Sequence, residues 1–462
     1  DLSGTATLME LAQVLSGETQ HRSVVLVSTS GSVGAAGSVR LARTLAGPVD
    51  AVIVLGDLAG SQVRYPIVVP WSNAQLVAPP RLRKTVAGAL WSQAALHPGG
   101  TSLAGQFAHL AFPLTVGEQG PFGAYGYPAV LLSVSGERGP AADETVQDPT
   151  RITALGRTVL STVNALEAGT TIPAPSAYLL FSGLIVPEWA VRLLILALII
   201  PVLIATVDGI ARVHRRGHSI ARWTIWVLAG ALPFVLAVLL VDALRAAKLI
   251  NVAPPGPVVA GAVPLHAAGM AILAGVALVL VLSFVFLRPF VIGITGGEPR
   301  ASRRPGQPCN PGAGAAVLLV MCAVTLAIWV KNPFAAALLV PALHLWIWVV
   351  DPDVRPRAAV LVALLAIGLA PPVLMILYYA VTLGLSPVEV VWGGTLLLAG
   401  GQLGVVAAIE WSIVLGCVAS VILIALQQAR AQRPEDLPVT VRGPITYAGP
   451  GSLGGTESAL RR

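Results

Sequence analysis

The chain has 462 residues, 55% of them hydrophobic and 11% charged, where soluble domains carry about 25% charged residues. With a mean hydropathy of +0.79, a wholly soluble globular protein is excluded. The formal charge of +7 does not mark a nucleic-acid binder: up to Pro187, ten Lys/Arg stand against eleven Asp/Glu, so the basic excess lies in the apolar half, where it reports orientation.

Residues 1–186 read as an α/β domain. Leu2 to Leu15 places Leu8, Leu11, Ala12 and Leu15 at helical spacing, with Ser3 or Thr5 as N-cap. Ser23 to Ser28 is a short β-branched apolar run and reads as a strand, followed by a turn through Gly31, Gly34 and Gly37 and a helix ending at Leu45. The glycines are not spaced as G-x-G-x-x-G and no acidic residue ends the next strand suitably, so a tight strand–helix turn is expected rather than a nucleotide site. Asp50 to Leu55 is a second strand, ending at Gly56 and Asp57. Tyr65 to Trp71 reads as an extended pair or an edge, Leu82 to Ala95 as a helix, Pro128 to Val134 as a strand and Pro149 to Leu166 as a closing helix. Strands alternating with helices imply a mainly parallel sheet covered on both faces, with functional groups at the carboxyl ends of its strands, where Asp57 lies. Cys309, Cys322 and Cys417 all follow this domain, which therefore has no disulfide and no thiolate metal site. The chain opens on Asp1 without Met or a signal peptide, and an upstream segment is expected.

Residues 187–428 read as a helical transmembrane domain. Apolar runs occupy Trp189–Val207, Trp223–Val241, Ala267–Leu287, Ala313–Val330, Pro333–Val350, Ala358–Tyr379 and Leu403–Leu426, each long enough for a hydrocarbon core about 30 Å thick. Arg212, Arg215, Arg216 and Arg222 fill the first connection, and only Arg245 and Lys248 the second. Arg288, Arg300, Arg303 and Arg304 lie in the third, Lys331 with Asn332 and Pro333 in the tight fourth, and Arg355 with Arg357 in the fifth. The alternation of rich and poor loops places residues 1–186 outside the cytoplasm and the C-terminus, with Arg430, Arg433 and Arg442, inside. Ser386 to Gly401 is expected to be interfacial or re-entrant, because counting it as a span would reverse the tail. Residues 429–462 are expected to be a disordered cytoplasmic tail. Glu410 and His344 are intramembrane ionisable groups and thus functional candidates, the alternative being a protonated or paired side chain facing other helices. Transport would call for more such groups or paired broken helices.

The opening Asp1-Leu2-Ser3-Gly4, the strand and turn at 24–38, Val54-Leu55-Gly56-Asp57-Leu58-Ala59-Gly60, and Glu118 to Ser133 with its Gly120-Pro121-Phe122 and Gly126-Tyr127-Pro128-Ala129 resemble, in order, four segments of the M28 family of zinc aminopeptidases. This resemblance covers most of residues 1–167. It implies a two-zinc centre in which Asp1 matches the bridging Asp and Asp57 the later Asp ligand. The adjacent Glu pair, one a ligand and one the general base, falls on Gly31 and Ser32, and the final His has no counterpart between Ser135 and Asp148. The resemblance therefore implies a fold retained without catalysis, and zinc only if the site survives. Asp57 and Glu118, a weaker metal candidate, could equally be solvated or capping carboxylates. His97, His109 and His21 could substitute as ligands or lie at the surface.

The layout is also similar to endoplasmic-reticulum M28 metallopeptidases and to the M28-like subunit of the GPI-anchor transamidase. Arg-dominated basic residues with abundant Ala, Val and Gly suggest a GC-rich bacterium. The expected function is a membrane-anchored, non-catalytic M28-like protein that binds a peptide or a cell-envelope component or protein. The alternatives are an active zinc aminopeptidase with a divergent site, and a transporter or assembly subunit.

Overall fold

The structure is a computed structural model and describes the chain except residues 1, 18, 30–33, 46, 139–146, 218, 251–253, 255, 259–262, 296–310, 352–353, 355 and 431–462. Asp1, Gly31, Ser32 and the expected tail from 431 onward thus lie outside the described residues.

The first part contains α1 (Ser3–Ser16), α2 (Ala36–Thr44), β1 (Val52–Leu55), β2 (Val68–Val69), α3 (Pro80–Ala94), α4 (Leu103–Ala111), α5 (Gln119–Ala124), β3 (Ala129–Leu132) and α6 (Pro149–Glu167). The strands expected near 50–55 and 128–134 pair in parallel, Val52 opposite Ala129 through Leu55 opposite Leu132. The ambiguous stretch after Tyr65 supplies β2, antiparallel to β3, so the sheet has the order β1-β3-β2 and is mixed. Leu11 and Leu15 of α1, Leu82, Val86 and Leu90 of α3, and Leu155 and Val159 of α6 close on Val130 and Leu132 in one apolar core. Asp148 caps α6 by accepting from the amides of Thr150 and Arg151. The Thr150 hydroxyl bond, backed by those amides, holds its carboxyl below the usual aspartate value.

Two expectations are corrected. Neither Ser3 nor Thr5 caps α1; Leu2 holds the cap position without a side-chain bond, and the Ser3 hydroxyl instead accepts from the Leu58 amide at 2.9 Å. Ser23 to Ser28 forms no strand and is exposed throughout. β-Branched composition favours a strand only where a neighbouring backbone accepts its amides, and β1 pairs on one side alone, with β3.

A hairpin, β4 (Tyr178–Phe181) and β5 (Leu184–Pro187), links this part to the first span. Its two turn residues, Ser182 at φ +48° and Gly183 at φ +82°, take the left-handed conformations that match the twist of a tight hairpin. Tyr178 donates to the Ala78 carbonyl at 2.6 Å, and burial raises its phenol above the ordinary tyrosine value.

The second part is helical: α7 (Glu188–Arg215), α8 (Ile220–Leu228), α9 (Leu232–Ala246), α10 (Ala267–Leu282) continuing through a π-turn at 283–287 into α11 (Arg288–Ile294), α12 (Pro311–Lys331), α13 (Pro333–Ala337), α14 (Val340–Val350), α15 (Ala358–Leu383), α16 (Pro387–Ala399) and α17 (Val405–Arg430). These form seven apolar helical stretches long enough to cross a membrane, at the seven places the hydropathy predicts, and the chain is a multi-pass membrane protein. With 13 residues, α16 reaches only about 20 Å at 1.5 Å per residue and cannot cross. Helix α12 is the hub, packed on α7, α8, α14 and α17. Gly314 allows this closeness, since a Cβ there would stand 2.6 Å from the Val350 carbonyl oxygen.

The two parts are joined through α4. Asn332, between α12 and α13, accepts the Ala335 amide at 2.9 Å as the α13 N-cap and donates to the Leu110 and Ala111 carbonyls at the end of α4, 3.0 Å each. Earlier in α4, the Gln106 amide group pairs with both backbone groups of Leu180 in β4, at 2.7 and 3.1 Å. One side chain thus satisfies two helix ends that would otherwise leave orphan backbone groups. Asn332→Ala is expected to cost about 2 kcal/mol, from a lost cap of about 1 and two hydrogen bonds of about 0.5–1.5 each, partly offset by water. Thermal unfolding of the detergent-purified chain checks this, and an unchanged midpoint would show that α4 is not held through Asn332.

Candidate functional site at the carboxyl edge of the sheet

The parallel pair β1 and β3 delivers two loops to one edge, and the polar groups of the first part collect there. Asp57, two residues beyond β1, is 4% exposed. Its Oδ1 accepts from the Ala59 and Gly60 amides at 3.0 and 2.8 Å, and its Oδ2 accepts from the Ser135 hydroxyl in the loop after β3. The Val134 amide donates to the Asp57 carbonyl at 2.8 Å. This Asp therefore folds its own turn and ties the two loops together, and both of its oxygens are engaged inward.

Glu118, entering α5, accepts from the Thr29 hydroxyl at 2.6 Å. His97 is exposed, with its ring against Trp91 at 4.6 Å between centroids. His21 is also exposed. Among the described residues, no three His, Cys, Asp or Glu side chains gather where they could hold a metal ion.

His109 is the residue the sequence reading missed as a buried group. It is 2% exposed, stacked flat on Trp71 with centroids 4.5 Å apart and 7° between planes. Its Nδ1 lies 3.1 Å from the Leu114 carbonyl oxygen and 3.3 Å from Tyr379 Oη. Tyr379 already gives its proton to the Phe112 carbonyl at 2.6 Å, so both neighbours of Nδ1 are acceptors, and we assign the ring proton to Nδ1 on that network. Nε2 then faces Glu137 Oε1 at 3.2 Å and Tyr378 Oη at 3.4 Å. Glu137 Oε1 lacks hydrogen-bond geometry with any described group, so the 3.2 Å approach is an off-axis polar contact rather than an aligned bond. Gly105 makes room for this meeting, since a Cβ there would stand 2.7 Å from Tyr378 Oη.

These residues come from α4, from the loop after β3 and from the end of α15, so the carboxyl edge of the sheet is part of the joint with the helical bundle. The available sequence signal was the setting of His109 in the apolar run Ala108-His109-Leu110-Ala111-Phe112; its partners 269 and 270 residues away leave no local trace.

Within the bundle, Glu410 is paired with Lys331 at 2.6 Å. Lys331 ends α12 and Glu410 lies in the second turn of α17, so the pair sits at the ends of these helices nearest the joint and not midway along them. His344 contacts the Val340 carbonyl of its own helix at 3.0 Å.

No protein-family model and no curated protein matches the chain. His109→Ala is expected to destabilise by about 2–3 kcal/mol, the cost of leaving buried polar neighbours unsatisfied, and Tyr379→Phe by about 1 kcal/mol. Comparing unfolding midpoints of the two variants checks the order; equal losses would mean that apolar packing alone holds the joint.

Proposed function

We propose that the chain is a membrane-anchored protein whose M28-like α/β domain has exchanged catalysis for binding, taking a peptide or a cell-envelope component outside the cytoplasm. The observation that carries this reading is the state of Asp57. Both of its oxygens accept hydrogen bonds, Oδ1 from the Ala59 and Gly60 amides and Oδ2 from Ser135, which gives this buried carboxylate a structural task in closing the turn and supports a reading without catalysis. The adjacent loop after β3 supports the same reading, because Glu137 in that loop lies against His109 of α4 at the joint.

The proposed orientation rests on the charge alternation of the connections, with the Arg-rich 211–222 stretch cytoplasmic. The sparsely charged turn at Lys331 and Asn332 lies on the domain side, where Asn332 meets α4, in keeping with that assignment. Pairing of Glu410 with Lys331 supports a structural role for this carboxylate over a transport one.

Elemental analysis of the purified full-length protein beside Asp57→Ala tests the reading. The expected result is no zinc that depends on Asp57, together with a lower unfolding midpoint in the variant because the turn and the Ser135 bond are lost. About two zinc ions per wild-type chain, the number that a working two-metal hydrolase needs, absent from Asp57→Ala, would instead establish a surviving peptidase site.

A further inference from the structure

No charged residue stands between Glu167 and Glu188, and the hairpin β4–β5 lies within that stretch. Its backbone pairs run from Tyr178 opposite Pro187 to Phe181 opposite Leu184. Partners across an antiparallel pair share a face, and successive residues alternate between faces. Phe181 and Leu184 therefore lie on one side of the tip and Ile185 on the other. Toward the base, Tyr178 and Leu179 are buried, and Leu180 and Val186 pack against the core that includes Val191 and Ile195 of α7. At the tip, by contrast, Phe181 is 55%, Leu184 69% and Ile185 52% exposed. A hairpin with one face in water alternates apolar and polar residues, whereas this tip is apolar on both faces.

The hairpin is held at the level where the helices enter the bilayer. Glu188, the first residue of α7, donates its amide to the Ala177 carbonyl at 3.2 Å, which closes the base on the start of that span. Strand β5 packs on α7. Leu180, beside the tip, is bonded through both backbone groups to Gln106 of α4. The next residue of α4, Phe107, meets Phe334 of α13 edge-on, 5.7 Å between centroids, and α13 opens the fifth apolar stretch. With its base tied to one span and its far end tied through α4 to another, the hairpin lies along the end of the bundle. The exposed apolar side chains then continue from the tip into α7 with Trp189, Leu193 and Leu194. An indole in the first turn of a span marks the headgroup level.

We infer that the β4–β5 hairpin is a second membrane anchor, with its tip seated in the interface of the leaflet that faces the domain and phospholipid as the partner of Phe181, Leu184 and Ile185. Lipid is the occupant because the uncharged patch runs directly into the bilayer-facing side of a transmembrane helix. Depth is limited by the backbone: the outer edges of a two-stranded hairpin need water for their unpaired groups, so the tip stays interfacial. Since Tyr178 holds Ala78 and Leu180 holds α4, this anchor fixes the tilt of the first part on the membrane. It does so whatever ligand that part binds.

Spin-label accessibility in the full-length chain, reconstituted in phosphatidylcholine vesicles, tests the inference. Leu184→Cys is labelled in a Cys309→Ser background, where the remaining Cys322 and Cys417 are buried. Lys84→Cys, exposed on α3, and Ile204→Cys, exposed on α7, give the aqueous and bilayer references. The label at 184 is expected to lose collisions with a water-soluble nickel chelate relative to the label at 84, and to gain collisions with oxygen. Nickel collisions equal to those at 84 would place the tip in water, and low collisions with both reagents would mean that protein, a second copy or a bound peptide, covers it. Either result would overturn the inference. A label at Phe181→Cys repeats the measurement, and adding Leu184→Asp with Ile185→Asp should return it to the aqueous value. Because these positions are exposed, the unfolding midpoint in detergent should stay at the parent value; a label that keeps its depth in this variant would refute an apolar anchor.

Discussion

An imidazole buried between a soluble-type domain and a membrane bundle has to be matched on both ring nitrogens, and that requirement fixes the joint in this protein. His109 meets it through the Leu114 carbonyl beyond its own helix on Nδ1 and the tyrosine pair of α15 on both nitrogens, with Glu137 from the sheet edge in off-axis polar contact with Nε2. None of these can shift far without leaving a polar atom unsatisfied in an apolar setting, where the cost is about 1–3 kcal/mol per group. Asn332 adds the same kind of constraint one and two residues further along α4. Helix α4 is therefore a peg with polar contacts on several sides, and both parts of the chain are oriented by it.

This arrangement has a consequence for the sheet. In a parallel α/β domain the carboxyl edge is where ligands are ordinarily taken, because loops and unpaired backbone groups meet there. Here one loop of that edge is consumed internally by the Asp57 turn and Ser135, and the other meets His109 of α4 through Glu137. The opposite flank, from α1 to the run Ser23–Ser28, retains exposed apolar side chains and an open groove.

How much of this the residues disclose on their own follows from how local each determinant is. The seven spans were legible because a bilayer requires every residue of a long stretch to be apolar, a condition satisfied within each stretch separately. Strands β1 and β3 and helix α6 were legible for the same reason, as compact runs bounded by Gly, Pro or Asp. Helix α4 was not, since nine residues that include Gly105 and are apolar nearly all round carry no clear amphipathic period. Asp57 was recognisable as a carboxylate at a strand end, but its use depends on Ser135, 78 residues on. Ser23–Ser28 reads as a strand from composition, yet it pairs with no strand among the described residues, and that outcome is decided by tertiary neighbours the run itself does not encode.

The same distinction between local and distant determinants accounts for Glu410. A carboxylate in an apolar helix looks like a functional group when only its neighbours in sequence are considered, since burying it alone costs several kcal/mol. Its position early in α17, however, brings it level with the end of α12, where Lys331 is half exposed. The lysine can place its ammonium toward water while its stem covers apolar surface, and the carboxylate needs only to follow it. A charge that would be a burden at mid-membrane depth thereby becomes an ordinary fastening between two helices, at the same end of the bundle where Asn332 and His109 fasten the domain.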